Sequence, residues 1–143
     1  KRRDIKTVCL LPQAPPKEIA KHAGCDEAWM IEDGYVTEGA SSTGYIVTQD
    51  DVIVTRPNSN AMLPGCTRLS LLQLIAETGM KLEERLFTID EAYAAKEAFM
   101  TSAGTFVTPI SFIDDKPIGG GKPGPVALKL REIYLDHARR TAI

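Results

Sequence analysis

Several residue types are too scarce in this chain to build the sites they usually build. It carries only three cysteines, Cys9, Cys25 and Cys66, in 143 residues. An odd number at wide spacing forms neither a disulfide framework nor a CxxC site, so reduced thiols in a cytoplasmic setting are expected. The two histidines, His22 and His137, are too few and too far apart to suggest a metal centre. Charge of one sign is lacking as well: a formal net charge of −2 leaves no basic footprint for nucleic acid. No apolar run is long enough to span a bilayer, and no secretory-signal pattern is present. Internal repeats and low-complexity segments are also missing, which excludes solenoid and linker-like readings.

What remains is the composition of an ordinary globular chain, 43% hydrophobic and 25% charged. One domain covering residues 1–143 is expected, with enough chain to bury a core. The apolar run Lys6 to Leu11 reads as a strand ended by Pro12. Pro15 and Pro16 suit a first helical turn, and a short helix closing at Gly24 follows. Glu27 to Ile31 and Tyr35 to Glu38 flank Glu32-Asp33-Gly34, a hairpin signal. Tyr45 to Thr48 and Val52 to Thr55 form a second hairpin around Gln49-Asp50-Asp51. Beyond the Pro57 to Pro64 loop, a helix is expected from Arg68 to Thr78 with Gly79 as its stop, then a strand from Leu82 to Phe87. Thr88 and Glu91 make a capping-box pattern. Phe99 to Thr101 and Phe106 to Ile113 read as strands, and Asp114 to Pro117 as a turn. Pro125 opens a terminal helix with Val126, Leu130, Ile133, Tyr134 and His137 on one face. The class is mixed α/β with antiparallel hairpins.

Two places carry candidate chemistry. Lys6 sits among Ile5, Val8, Leu10 and Leu11, a pattern normally buried, where lysine is rare unless paired or used chemically. A desolvated lysine loses its proton more readily and becomes an amine nucleophile. Taken alone, the commoner reading is a strand-end lysine whose ammonium reaches solvent. The second place is Pro64-Gly65-Cys66-Thr67, which leads directly into a helix. Free backbone N–H groups at a helix start bind anions, although Thr67 in such a run also reads as a plain N-cap. The glycine run at 119–121 is no P-loop, because Lys122 is followed by Pro123 rather than Ser or Thr.

The order D-I-K-T, then G-Y-V-T-E-G-A-S-S, then L-P-G-C-T-R, then F-M-T-S-A-G-T-F-V-T-P-I runs from Asp4 to Ile110. This succession resembles the class IV aminotransferases, the fold-type IV pyridoxal-phosphate enzymes, and within them the D-amino-acid aminotransferase branch most. The resemblance implies a barrel-like larger C-terminal domain and pyridoxal 5′-phosphate as cofactor. It matches Lys6 to the Schiff-base lysine, which also serves as the base in proton transfer, and Glu38 to the acid facing the pyridine nitrogen. Ser41 matches a serine near the cofactor, Leu63 a residue against the ring, and Cys66 and Thr67 the phosphate contacts. At the second phosphate block, Ser102-Ala103-Gly104-Thr105, this chain has Ala103 where the family usually has threonine. A hydroxyl contact is lost there, and Ser102 or Thr105 is the candidate to replace it.

The activity implied is transamination of D-amino acids, D-alanine with 2-oxoglutarate, by a homodimer acting on small amino-acid and 2-oxo-acid substrates. A lyase of the aminodeoxychorismate lyase type and a branched-chain L-amino-acid aminotransferase remain open alternatives. Family members carry an N-terminal domain before the lysine block, so the 143 residues are expected to be a fragment. Its own N-terminal domain would be the missing partner. Such a piece, lacking the family's phosphate-clamping arginine, would be non-catalytic as it stands.

Overall fold

The computed structural model describes residues 14–59 and 62–142. The expected strand from Lys6 to Leu11, and Lys6 with it, lies outside the described residues. The first element is a short helix, α1 (Ala14–His22), after which Gly24 takes a left-handed φ of 75°. A hairpin follows, β1 (Trp29–Glu32) and β2 (Tyr35–Gly39), with Glu32 paired to Tyr35. Asp33 and Gly34 between them have φ of 53° and 82°. Two left-handed residues are what a tight two-residue hairpin turn demands, since only that turn matches the strands' twist.

The centre of the fold is a five-stranded sheet built from β3 (Thr43–Val47), β4 (Ile53–Thr55), β5 (Leu82–Glu84), β6 (Glu97–Ser102) and β7 (Phe106–Ile110). Its strand order is β5-β4-β3-β6-β7. All neighbours are antiparallel except β4 and β5, between which α2 (Cys66–Thr78) makes the crossover. A short helix, α3 (Ile89–Tyr93), precedes β6. A small hairpin, β8 (Phe112–Ile113) with β9 (Lys116–Pro117), leads to the last helix, α4 (Pro125–Thr141). The sheet is open rather than barrel-like: among the described residues no strand closes β7 back onto β5.

Both faces of this sheet are buried, and side-chain alternation divides its residues between two cores. Tyr45, Val47, Ile53, Phe99 and Val107 pack with Leu71 and Ile75 of α2 and Ala127 and Leu130 of α4. Ile46, Val54 and Ala98 point the other way, onto Val36, Phe87, Ala92 and Ile118. That second core explains why the strand expected from Leu82 to Phe87 stops at Glu84. Phe87 turns inward to 1% exposure, and its carbonyl accepts the Val36 N–H at 3.0 Å. The run expected from Phe106 to Ile113 divides likewise, because the chain leaves the sheet after Ile110 to form β8.

Helix ends differ from expectation in informative ways. α2 begins at Cys66, two residues before the expected Arg68, with Gly65 as its N-cap. Thr88 caps α3 by accepting the Glu91 N–H at 3.2 Å, but the Glu91 carboxylate pairs with Arg85 at 2.8 Å instead of completing the box. On α4 the buried positions are Ala127 and Leu130, with Tyr134 packed beside them, while His137, expected on the same face, is exposed.

Candidate functional site

The motif blocks that are far apart in sequence meet at one end of the central sheet. Thr43 opens β3 and pairs with Thr101 near the end of β6, so the turn from Gly39 to Ser42 and the turn from Ala103 to Thr105 share that end. Glu38, on β2, is 5% exposed, and its Oε2 accepts the backbone N–H of Leu63 at 2.9 Å. This bond ties the T-E-G-A-S-S block to the residues that lead into α2. A carboxylate on the main chain has its direction fixed, which a group meant to face one ligand atom requires.

Thr67 makes the second tie. It is not the N-cap of α2 but its second helical residue, 3% exposed. Its Oγ1 donates to the carbonyl of Ser102 at 3.1 Å, bringing the start of α2 against the β6–β7 turn. With its single hydroxyl proton committed there, Thr67 offers an anion its backbone N–H first. Gly65 caps without a side chain, so the first N–H groups of α2 face outward. A Cβ at Gly65 would only reach ordinary contact, 3.9 Å from the Arg68 Cβ, and its φ of −67° suits any residue. Among the described residues nothing therefore demands glycine at 65. What a Cβ there would take is room beside the helix start.

Beside the Thr67–Ser102 bond, Ala103 and Gly104 are exposed, and a Cβ at Gly104 would meet nothing within 4 Å. Ser102 and Thr105 brace the turn: their hydroxyls lie 2.7 Å apart, and Ser102 Oγ also accepts the Thr105 N–H at 3.1 Å. Either hydroxyl can donate to the other, so one proton of the pair stays available to a ligand. A hydroxyl therefore stands next to Ala103, where the resemblance expects threonine. Helix-start N–H groups, turn N–H groups and a spare hydroxyl form a donor set that fits a phosphate group.

Ser41 stands apart from that donor set. It is exposed on the β2–β3 turn, and both its N–H and its hydroxyl donate to Glu27 Oε2 at 3.1 Å. Ser42 Oγ donates to the same oxygen at 2.8 Å. The Glu27 carboxylate thus organises the turn that follows Glu38. Cys66 is exposed at the first position of α2, and Leu63 is half-buried beside Glu38.

Two buried charges escaped sequence reasoning. Arg68 is wholly buried: Nη1 donates to Thr55 Oγ1 at 2.9 Å, Nε to Asn58 Oδ1 at 3.1 Å, and Nη2 to the Arg56 carbonyl and Glu84 Oε1 at 2.8 Å each. Glu97, 3% exposed, accepts the Val126 and Ala127 N–H groups at 2.9 Å each and so fills the start of α4. Of the two long helix starts, α4 is satisfied from within the chain while α2 has no side-chain cap. Only the helix pattern was legible at either place. A charged residue inside an apolar strand such as Glu97-Ala98-Phe99-Met100 is the one signal that could have been read.

Comparison with known proteins places these features in context. The family model for amino-transferase class IV matches residues 1–113. A D-alanine aminotransferase from Bacillus licheniformis is 44% identical over 125 residues, 87% of this chain and 44% of that protein. A branched-chain-amino-acid aminotransferase from Pseudomonas aeruginosa is 46% identical over 114 residues, 79% of this chain and 36% of that protein. Among solved structures, the branched-chain amino acid aminotransferase from Thermobaculum terrenum, in its PLP form, superposes with a TM-score of 0.89 at 29% identity. That superposition covers 96% of this chain and 45% of that one. The chain therefore spans less than half the length of each of these relatives.

Proposed function

This chain belongs to the class IV aminotransferases, and on that premise we propose that it is the cofactor-holding part of a pyridoxal-phosphate-dependent transaminase acting on D-alanine and 2-oxoglutarate. The observation that carries the reading is the convergence of three motif blocks through the Glu38–Leu63 and Thr67–Ser102 hydrogen bonds. Such a junction places an oriented carboxylate at one side and a phosphate-type donor set at the other.

Bound there, pyridoxal phosphate supplies an electron-poor ring that stabilises negative charge at the substrate α-carbon. The protein's part is to hold and orient. The N–H groups of Cys66 and Thr67 at the α2 start, those of Ala103 and Gly104, and the spare hydroxyl of Ser102 or Thr105 bind the phosphate. Glu38, aimed by the Leu63 N–H, holds a proton on the pyridine nitrogen. Leu63 would cover the ring and exclude water from it, and Ser41 would contribute through the turn that Glu27 organises. Lys6 would hold the cofactor through its amine and, once free, would move the proton at the substrate α-carbon. The whole protein acts as a cytoplasmic homodimer, with a preceding N-terminal domain closing the substrate side.

The D-alanine assignment is supported by the longer of the two sequence matches, 125 residues against 114. The branched-chain relative, at 46% identity, supports a second reading, transamination of branched-chain L-amino acids. The test is amino-group transfer to 2-oxoglutarate by the whole protein, with D-alanine, L-leucine and L-isoleucine compared side by side. Pyruvate formed with D-alanine at the highest kcat/KM is the expected result. Preference for L-leucine moves the assignment to the second reading, and turnover of neither refutes the transaminase.

A further inference from the structure

The start of α2 is backed by a buried cation, and the placement of its partners is uneven. Arg68 is the third helical residue of α2 and is wholly buried. A cation in a first turn opposes the helix dipole, so Arg68 adds to the positive potential of the α2 start rather than relieving it. Three of its four acceptors are neutral: Thr55 Oγ1, Asn58 Oδ1 and the Arg56 carbonyl. The only carboxylate among them is Glu84, whose side chain is 46% exposed and therefore screened by water.

Sheet order separates the two charges from the cup differently. Glu84 stands on the edge strand β5, and β6, which carries Ser102, lies three strand spacings away, about 14 Å. The guanidinium bonds to Thr55 on β4 and lies against Tyr45 on β3, between Glu84 and the cup. Tyr45 continues the polar seam, since its phenol oxygen accepts from Thr101 Oγ1 at 3.5 Å, one residue before Ser102. Burial raises the Tyr45 pKa, and the Thr101 hydroxyl and Arg68 charge pull part of that rise back.

We infer that Arg68 is a positioning residue whose charge, only partly offset by Glu84, strengthens the binding of a phosphate monoester at the α2 start without touching it. This rests on the cofactor reading above. Pyridoxal phosphate and unphosphorylated pyridoxal are the probes, titrated into the whole protein. The Kd of pyridoxal divided by that of pyridoxal phosphate isolates the phosphate contribution from contacts to the ring.

Arg68→Met should lower that ratio by about tenfold, and Arg68→Lys, which keeps the charge but not the fork of hydrogen bonds, should restore most of it. Glu84→Gln keeps its shape at a half-exposed site and removes the offsetting charge, so it should raise the ratio by about threefold. A purely structural Arg68–Glu84 pair gives the opposite sign for Glu84→Gln and no rescue by lysine. If wild type binds pyridoxal phosphate and Glu84→Gln is no tighter, or lysine fails to rescue, this inference is overturned alone. If wild type binds no pyridoxal phosphate, the cofactor reading falls and the inference with it.

Discussion

Replacing Glu97 tests how the second long helix start is satisfied. Pro125 has no N–H to lose, Glu97 takes the Val126 and Ala127 donors at 2.9 Å each, and Leu128 bonds to the Gly124 carbonyl at 3.1 Å to begin the ladder. Every early donor of α4 is thereby accounted for. Glu97→Ala strands two N–H groups, one of them on Ala127 at 0% exposure, where water is a poor substitute. Two charge-assisted bonds at about 1.5 kcal/mol each, plus lost dipole stabilisation of about 0.5 kcal/mol, give a loss of about 3–4 kcal/mol. For a domain of this size that is a fall in Tm of about 10 °C.

Glu97→Gln should cost nearly as much, because its amide NH2 must then face one of the two N–H donors. Gly124→Ala should be at least as damaging as either, since its Cβ would collide with the Glu97 carboxylate. The measurements are urea unfolding followed by circular dichroism and amide exchange at Val126 and Ala127. The effect should reach the cup, because Arg131 on α4 donates to the Thr105 carbonyl at 2.8 Å and steadies the β6–β7 turn. A Glu97→Gln protein within about 0.5 kcal/mol of wild type, with both amides still protected, would refute the reasoning, since ordinary surface changes fall in that range.

Other outcomes follow from the same geometry. Lys6→Ala should abolish borohydride-stable attachment of pyridoxal phosphate, and persistence of that adduct would remove Lys6 from its role. Glu38→Gln keeps size and the bond to Leu63, so folding should survive while turnover falls by roughly tenfold or more, the scale of one lost charge-assisted contact; wild-type turnover would make Glu38 a structural acid. Thr67→Val should cost about 1–2 kcal/mol by leaving the Ser102 carbonyl unpaired, with Thr67→Ser restoring it; equal melting curves for all three proteins would show that the tie contributes nothing. Burial first of all raises the Tyr45 pKa above its ordinary 10.0. The associated stability is full below the ordinary value of 10.0 and lost as pH climbs through the raised folded one. Alkaline titration should therefore show Tyr45 ionising together with unfolding, a phase that Tyr45→Phe deletes; ionisation of Tyr45 in protein that is still folded would contradict this.

Local chemistry was legible in the sequence, and distant pairings were not. Asp33-Gly34, Gly79, Thr88 and Pro125 each announce a turn or helix end through their own backbone preferences, and the structure uses each as expected. Arg68 carries no such mark. Its partners come from Thr55, Arg56, Asn58 and Glu84, so nothing within a helical turn of it betrays burial. Thr67 looked like an N-cap for the same reason: only the arrival of Ser102, 35 residues later, shows the hydroxyl tied to the β6–β7 turn. Phe87 continued a strand pattern until the second core claimed it.

The same division bears on what this part of the molecule can decide. Two relatives named for different amino-acid substrates resemble the chain almost equally, at 44% and 46% identity. The features that the chain brings together are an oriented carboxylate, a phosphate-type donor set and the buried polar seam beneath it, all of which suit a cofactor rather than a substrate side chain. A site that discriminates alanine from leucine needs an apolar wall shaped to the difference, since each methylene is worth only about 1 kcal/mol or a little more. Among the described residues, a recess lined by Ile46, Thr48, Gln49, Arg85, Glu91, Ala94 and Ala95 takes in Ile46 and Ala95 of the second core. Tyr45 and Val107, next to the Thr67–Ser102 tie through Thr101 and the β6–β7 turn, belong to the other core, so the recess opens away from the cup. On the cofactor reading proposed above, substrate choice would fall to residues that approach the cofactor from outside this sheet. That would make a cofactor-holding part compatible with either amino acid, in keeping with its resemblance to both relatives.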